Sequence, residues 1–136
     1  MNWTLEVLCV PVSDVDRAKS FYVEKVGFRL DHDHAMGEDY RVVQLTPPGS
    51  GCSIVIGTVT TMVPGSLNGM QLVVPDVRAA RAELIGRGVE VSEVTAFGHD
   101  GDSAVLEKRE LDNVGFCYFS DPDGNAWAVQ QISSRG

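Results

Sequence analysis

The 136-residue sequence has few cysteines, no cluster of basic residues and no apolar run long enough to cross a membrane. Its three cysteines, Cys9, Cys52 and Cys117, are odd in number and lie far apart in apolar segments. This pattern argues against a disulfide framework and against a Cys-x-x-Cys metal site. It is typical of reduced, buried thiols and predicts a cytoplasmic protein.

Positive charge is also scarce, with 11 Lys and Arg against 19 Asp and Glu and a net charge of −8. A surface of that sign repels phosphate backbones and anionic lipids, so we expect neither a nucleic acid nor a membrane as partner. The N-terminal segment lacks the basic region and apolar core of a signal peptide. The length and the 43% hydrophobic content predict one globular domain over residues 1–136.

The first half of the chain predicts a strand, a helix and three further strands. Apolar residues over 5–12 indicate the first strand, and Asp14 then stands where a helix N-cap is expected. Apolar residues recur at helical spacing up to Gly27, which ends the helix. The three further strands are predicted over residues 28–33, 40–46 and 52–57.

The same pattern begins again in the second half. A strand over 67–74 precedes a second N-cap at Asp76 and a second amphipathic helix. Gly86 and Gly88 end this helix, and Val89 is predicted to begin the next strand. Agreement of strand, cap, helical phase and stop indicates an internal repeat. We therefore predict two βαβββ modules, over 5–57 and 67–132, joined by a linker over 58–66.

Two further segments of the second module have distinct patterns. Asp-Pro-Asp-Gly-Asn at 121–125 lies between apolar, β-prone residues and predicts the turn of the last hairpin. Residues 96–113 are rich in Gly, Asp and Glu and predict a long loop with a helical turn around 105–111. Such a loop either has a function or is simply an acidic, solvent-exposed loop.

The two modules together resemble the vicinal oxygen chelate superfamily, which includes glyoxalase I, bleomycin resistance proteins and extradiol dioxygenases. The motifs that carry the resemblance are Val12-Ser13-Asp14, Phe21-Tyr22, Val26-Gly27-Phe28 and the Asp-Pro-Asp-Gly turn. The resemblance covers essentially the whole chain. It implies an α+β fold whose mixed sheets curl around a cleft, and it suggests a homodimer. It leaves the reaction open, because one scaffold serves several chemistries.

The resemblance also implies four metal-ligand positions, one on each of four cleft strands. Three of them hold Val7, Gly69 and Ala128, and the fourth falls within residues 52–56, which contain no carboxylate or imidazole. Because a divalent metal needs several such groups, we expect no metal at the family position and no cofactor.

His32 and His34 form a local His-x-His motif that puts two imidazoles on one face of a strand. The acidic residues around them predict a solvated strand end or loop. An exposed structural role is the main interpretation, and a local metal site is the alternative.

Alternation along the strands predicts which other side chains line the cleft if Val7, Gly69 and Ala128 face it. Trp127 and its alternate neighbours then face the core, and two amides are the polar groups of an otherwise small and apolar cleft. The predicted ligand-binding residues, with Phe97 and His99 from the long loop, are Cys9, Tyr40, Arg41, Gln71, Phe97, His99, Ala128 and Gln130.

Three functions remain open from the sequence. The first is a metal-free protein that holds an organic small molecule in the inter-sheet cleft without turnover. The second is a glyoxalase-like lyase or isomerase that uses His99, or a carboxylate such as Asp100 or Asp102, as a metal-independent general base. The third is a structural or regulatory module whose cleft is filled by side chains.

Overall fold

The computed structural model describes residues 1–135, which form two compact units, each built on one four-stranded mixed sheet and one helix. The first unit comprises residues 1–67 together with residues 121–125, and the second comprises the remainder, 68–120 and the chain after 125. This architecture confirms the predicted α+β class. The predicted linker over 58–66 belongs to the first unit, and so does the predicted hairpin turn.

The first unit contains sheet A. Its elements are β1 (Val7–Cys9), α1 (Val15–Ser20), β2 (Arg29–Met36), β3 (Tyr40–Thr46) and β4 (Ser53–Gly57), and α1 continues as a π-helical turn over Phe21–Val26. The strand order is β1-β4-β3-β2, with β1 parallel to β4 and the other pairs antiparallel. Both ends of the helical segment match the predictions. The carboxylate of Asp14 accepts from the Arg17 amide at 3.0 Å, and Gly27 has a φ of 90°.

The second unit contains sheet B and repeats this order. Its elements are β5 (Met70–Val74), α2 (Val77–Gly86), β6 (Thr95–Ala96), β7 (Gly115–Ser120) and β8 (Ala126–Gln131). The strand order β5-β8-β7-β6 has the connectivity of sheet A, which confirms the predicted repeat. Asp76 caps α2 by accepting from the Ala79 amide at 3.1 Å. Within residues 1–135 no helix combines the length and the apolar composition needed to cross a bilayer.

The strand predicted to open at Val89 is wrong, because only Thr95 and Ala96 pair regularly with β7. Ser92 explains the interruption. The Ser92 amide donates to the Tyr118 carbonyl at 2.9 Å, as in a regular strand pair. The Tyr118 amide, however, donates to the Ser92 hydroxyl oxygen at 2.9 Å and not to a main-chain carbonyl. A side chain thus replaces one ladder bond. The long loop that follows contains two 3₁₀ turns, Ser103–Val105 and Lys108–Leu111.

The Asp-Pro-Asp-Gly-Asn turn is organised by the buried carboxylate of Asp121, which is 5% exposed. Its Oδ1 accepts from the amides of Asp123, Gly124 and Asn125 at 2.9–3.0 Å. Its Oδ2 accepts from the hydroxyl of Tyr22 and the side-chain amide of Asn125, both at 2.7 Å. Every bond is charge-assisted, and together they offset the cost of burying an anion.

The rest of the turn binds other segments of the first unit. Asn125 donates from its side chain to the Pro11 carbonyl at 2.8 Å and accepts from the Leu67 amide at 3.1 Å. Asp123 accepts from the amide and hydroxyl of Ser13 at 3.1 and 2.5 Å. Gly65 lies so close that a Cβ there would stand 2.1 Å from the Asp123 carbonyl oxygen. The linker and the turn therefore pack against each other with no room for a side chain.

Replacing Tyr22 with Phe is expected to lower the free energy of unfolding by about 1.5–3 kcal/mol, because it removes one donor from a buried carboxylate. The ring is retained, so its stacking on Phe28 at 5.5 Å between centroids persists. Urea denaturation measures the effect, with Tyr40→Phe as the matched control on an exposed tyrosine. Equal stabilities of the two variants would contradict a stabilising role for the Tyr22 hydroxyl.

The thiol of Cys117 is expected to be inert in the folded protein. It is fully buried, and burial raises its pKa to about 11, so on the order of one molecule in a thousand carries the thiolate at pH 8. Cys9 and Cys52 are half-buried. A thiol-reactive chromophore should label at most two cysteines in buffer and all three in guanidinium chloride. Fast labelling that disappears in Cys117→Ala would show that this thiol is accessible.

Candidate functional site

The exposed face of sheet B is the strongest candidate site in the second unit. Side chains alternate along its strands, so every second residue is turned away from the buried face that holds Cys117, Trp127 and Val129. The centre of the exposed face is formed by two exposed or half-buried residues from each of three neighbouring strands, Gln71 and Val73, Phe116 and Tyr118, and Ala128 and Gln130. None of these six residues is charged.

Strand register brings these six side chains into two rows. Gln71, Ala128 and Tyr118 are direct neighbours across the sheet, and so are Val73, Gln130 and Phe116. Three of the residues predicted to bind a ligand, Gln71, Ala128 and Gln130, therefore lie side by side. That they contact a ligand remains a prediction.

A chain of amide hydrogen bonds crosses this face. The side-chain nitrogen of Gln71 donates to Oε1 of Gln130 at 2.5 Å, and Nε2 of Gln130 donates to the carbonyl of Asn113 at 2.7 Å. Asn113 adopts a φ of 69°, a left-handed conformation that asparagine tolerates better than most residues. These two hydrogen bonds fix the orientation of both side-chain amides. Within residues 1–135 no protein group donates to Oε1 of Gln71.

An aromatic pair stands beside the amides. The rings of Phe116 and Tyr118 are nearly parallel, at 7°, with centroids 6.2 Å apart. Tyr118 is 48% exposed, so part of an apolar ring faces solvent. Neither aromatic residue was among those predicted to bind a ligand. Alternation of side chains along β8 predicted that Gln130 lies on this face. Applied to β7, the other strand of the hairpin, the same rule would have predicted that Phe116 and Tyr118 lie there as well.

Phe97 and His99 lie in the loop that follows β6. Thr95 is exposed and Ala96 is buried, so side chains alternate between the two sides of the sheet here. The same alternation puts Phe97, which is 83% exposed, on the side of Thr95. Phe116, the partner of Thr95 on β7, lies on that side too. His99 is exposed, and its amide closes a turn onto the Ala96 carbonyl at 3.0 Å. No hydrogen bond in the described part of the chain joins the imidazole to Asp100 or Asp102. A His–carboxylate pair of the kind that orients a general base is therefore not formed here.

The remaining predicted residues, Cys9, Tyr40 and Arg41, lie on sheet A and do not share one face. Register places Cys9 and Tyr40 with Gln44 on the face turned away from α1. Arg41 lies on the α1 side, where it pairs with Asp16 at 2.8 Å and with Asp33 at 2.9 Å. Bonds from Arg41 and Lys19 hold the pKa of the Asp33 carboxyl well below its usual range. Arg41 thus forms an ion-pair network that joins α1 to the sheet.

Few metal-binding groups surround the positions where the family resemblance implies metal ligands. Val7 pairs with Ser53 across β1 and β4, and Gln71 and Tyr118 flank Ala128. No group of three or more His, Cys, Asp or Glu side chains within residues 1–135 is arranged to hold an ion. The donor set at these positions does not fit a divalent metal.

Comparison with known proteins places these observations in a family. The model of the Glyoxalase/Bleomycin resistance protein/Dioxygenase superfamily matches residues 4–129. The crystal structure of TnmS3, an antibiotic binding protein from Streptomyces sp. CB03234, is similar at 37% identity and a TM-score of 0.77. That match covers 97% of this chain and 98% of TnmS3.

Two further relatives cover most of the chain. A glyoxalase/bleomycin resistance protein from the same Streptomyces strain is 37% identical over 94% of this chain and 100% of its own, with a TM-score of 0.73. The uncharacterized protein YetH of Bacillus subtilis (strain 168) is 27% identical over 127 residues, which are 91% of this chain and 94% of YetH. With the repeated sheet topology, these matches confirm the resemblance seen in the sequence. The chain belongs to the Glyoxalase/Bleomycin resistance protein/Dioxygenase superfamily.

Proposed function

We propose that this protein binds an organic small molecule on the exposed face of sheet B and holds it without chemical turnover. The observation that carries the proposal is the uncharged surface built by Gln71, Phe116, Tyr118 and Gln130. An apolar surface with a few fixed polar groups is typical of small-molecule sites. A reaction would also need a general base on this face, and none of the six side chains described there is a histidine, a carboxylate, an amine or a thiol.

The similarity to TnmS3 supports binding rather than catalysis. TnmS3 is an antibiotic binding protein, and its match at 37% identity extends over 97% of this chain. The positions where metal enzymes of the family hold their ligands contain Val7, Gly69 and Ala128. These residues cannot bind the ion on which glyoxalase and dioxygenase chemistry depends.

The same surface suggests which chemical features the ligand carries. A flat, largely apolar ring system would cover Tyr118 and Phe116, since aromatic rings pack well in offset stacks. Oε1 of Gln71 is fixed by the bond that its own nitrogen donates to Gln130, and it is free to accept from a hydroxyl or N–H group. We therefore propose a polycyclic, antibiotic-like ligand with at least one hydrogen-bond donor at its edge.

Location and assembly belong to the same proposal. The three cysteines are all free, which fits a reducing cytoplasm. The family resemblance supports a homodimer, which sedimentation velocity can test directly.

The binding proposal predicts that Tyr118→Ala weakens the affinity for a flat polycyclic antibiotic about tenfold or more, because it removes the larger stacking surface. The ligand is first selected by native mass spectrometry from a panel that includes bleomycin, mitomycin C and polycyclic aromatic antibiotics. Titration calorimetry then compares the variants. Ile85→Ala is the control, since Ile85 is a similarly exposed apolar residue of the same unit but lies on α2.

The same experiment separates binding from turnover. The ligand is expected to be recovered with its mass and spectrum unchanged after long incubation. Catalytic conversion that is lost in His99→Ala would overturn the proposal and favour a glyoxalase-like lyase. Equal affinity of Tyr118→Ala and Ile85→Ala would show that the exposed face of sheet B is not the binding surface.

A further inference from the structure

Strand β2 carries two histidines in an arrangement that the proposed small-molecule site does not use. The strand runs from Arg29 to Met36, so the predicted strand end at Asp33 is too early, and His32 and His34 both lie inside regular structure. His32 pairs with Gln44 of β3, and His34 pairs with Val42. The one irregularity of this ladder lies between Leu30 and His32 and does not separate the two histidines.

The uninterrupted ladder places both imidazoles on the same face of sheet A. Residues two apart on a strand lie about 6.5–7 Å from each other and point in the same direction. Both side chains are exposed, and no hydrogen bond within residues 1–135 engages either ring. Two rings at this spacing can turn toward each other and share one ion with metal–nitrogen distances of about 2 Å.

The two aspartates next to the histidines are held by other residues of the first unit. Asp33 faces the other side of the sheet, where Lys19 contacts it at 2.8 Å and Arg41 at 2.9 Å. Asp31 accepts from the hydroxyl of Thr46, pairs with Arg29 at 3.1 Å and also interacts electrostatically with His32. The charge of Asp31 beside His32 and the net charge of −8 both favour the approach of a cation.

We propose that His32 and His34 form a two-ligand site for a divalent transition metal that prefers imidazole, such as Ni²⁺, Cu²⁺ or Zn²⁺. The site lies in the first unit on β2, whereas the family's ligand position at Val7 lies on β1. No third His, Cys, Asp or Glu joins the pair within residues 1–135, so water or an external donor completes the coordination. Such a site binds metal reversibly and leaves coordination positions open to a second molecule.

Calorimetric titration of the untagged, full-length protein with NiCl₂ tests the site, because Ni²⁺ does not oxidise the free thiols. We expect one ion per chain, and an affinity that falls about tenfold or more in His32→Ala and in His34→Ala because each variant loses the chelate. Two matched controls should bind as the unmodified protein does. His99→Ala removes the third histidine of the chain, and Asp33→Asn removes the carboxylate on the opposite face.

Each other outcome overturns the proposal. If the unmodified protein binds no Ni²⁺ at millimolar concentration, or if the double variant His32→Ala/His34→Ala binds equally well, there is no dihistidine site. If only one of the two single variants lowers the Ni²⁺ affinity, the ion is not chelated by the histidine pair. If Asp33→Asn lowers the affinity as strongly as His34→Ala does, the carboxylate is a ligand and the assignment of faces is wrong. Circular dichroism of each variant confirms that β2 remains folded.

Discussion

The first unit depends on one buried anion, the carboxylate of Asp121. An ionised side chain that leaves water without compensation costs several kcal/mol, so it is tolerated only where donors surround it. Asp121 has five, three from the turn that it begins and two from the side chains of Tyr22 and Asn125. Asn125 in turn binds Pro11 and Leu67. Two segments 99 residues apart in sequence are thus joined directly through a single carboxylate.

The two sheets have the same connectivity but different exposed chemistry. On sheet A, the face turned away from α1 carries two imidazoles beside the amide of Gln44, whereas the exposed face of sheet B carries amides and aromatic rings without charge. The topology fixes only which positions are exposed. The residues at those positions then decide whether a face can bind a metal ion or a flat organic molecule, which is why fold similarity does not settle function.

Local signals predicted much of this structure, and contacts between distant segments account for what was missed. Asp14, Asp76 and Gly27 were predicted correctly because a cap or a glycine stop depends on a few adjacent residues. The phase of β3 was not predictable from its own residues, since its register with β2 and β4 decides that Arg41 lies on the α1 side. The bond between Gln71 and Gln130 likewise requires the parallel pairing of β5 with β8.

The position of residues 121–125 in the first unit has a consequence for synthesis of the chain. A ribosome completes residues 1–67 long before it adds the turn, and until then the Tyr22 hydroxyl and the Leu67 amide lack the acceptors that they have in the folded protein. The first module therefore gains these hydrogen bonds only after the turn has been synthesised. A gene cut at the linker would yield an N-terminal fragment without Asp121, Asp123 and Asn125. The fragment would therefore lack the bonds that these residues make to Tyr22, Ser13 and Pro11 in the folded protein.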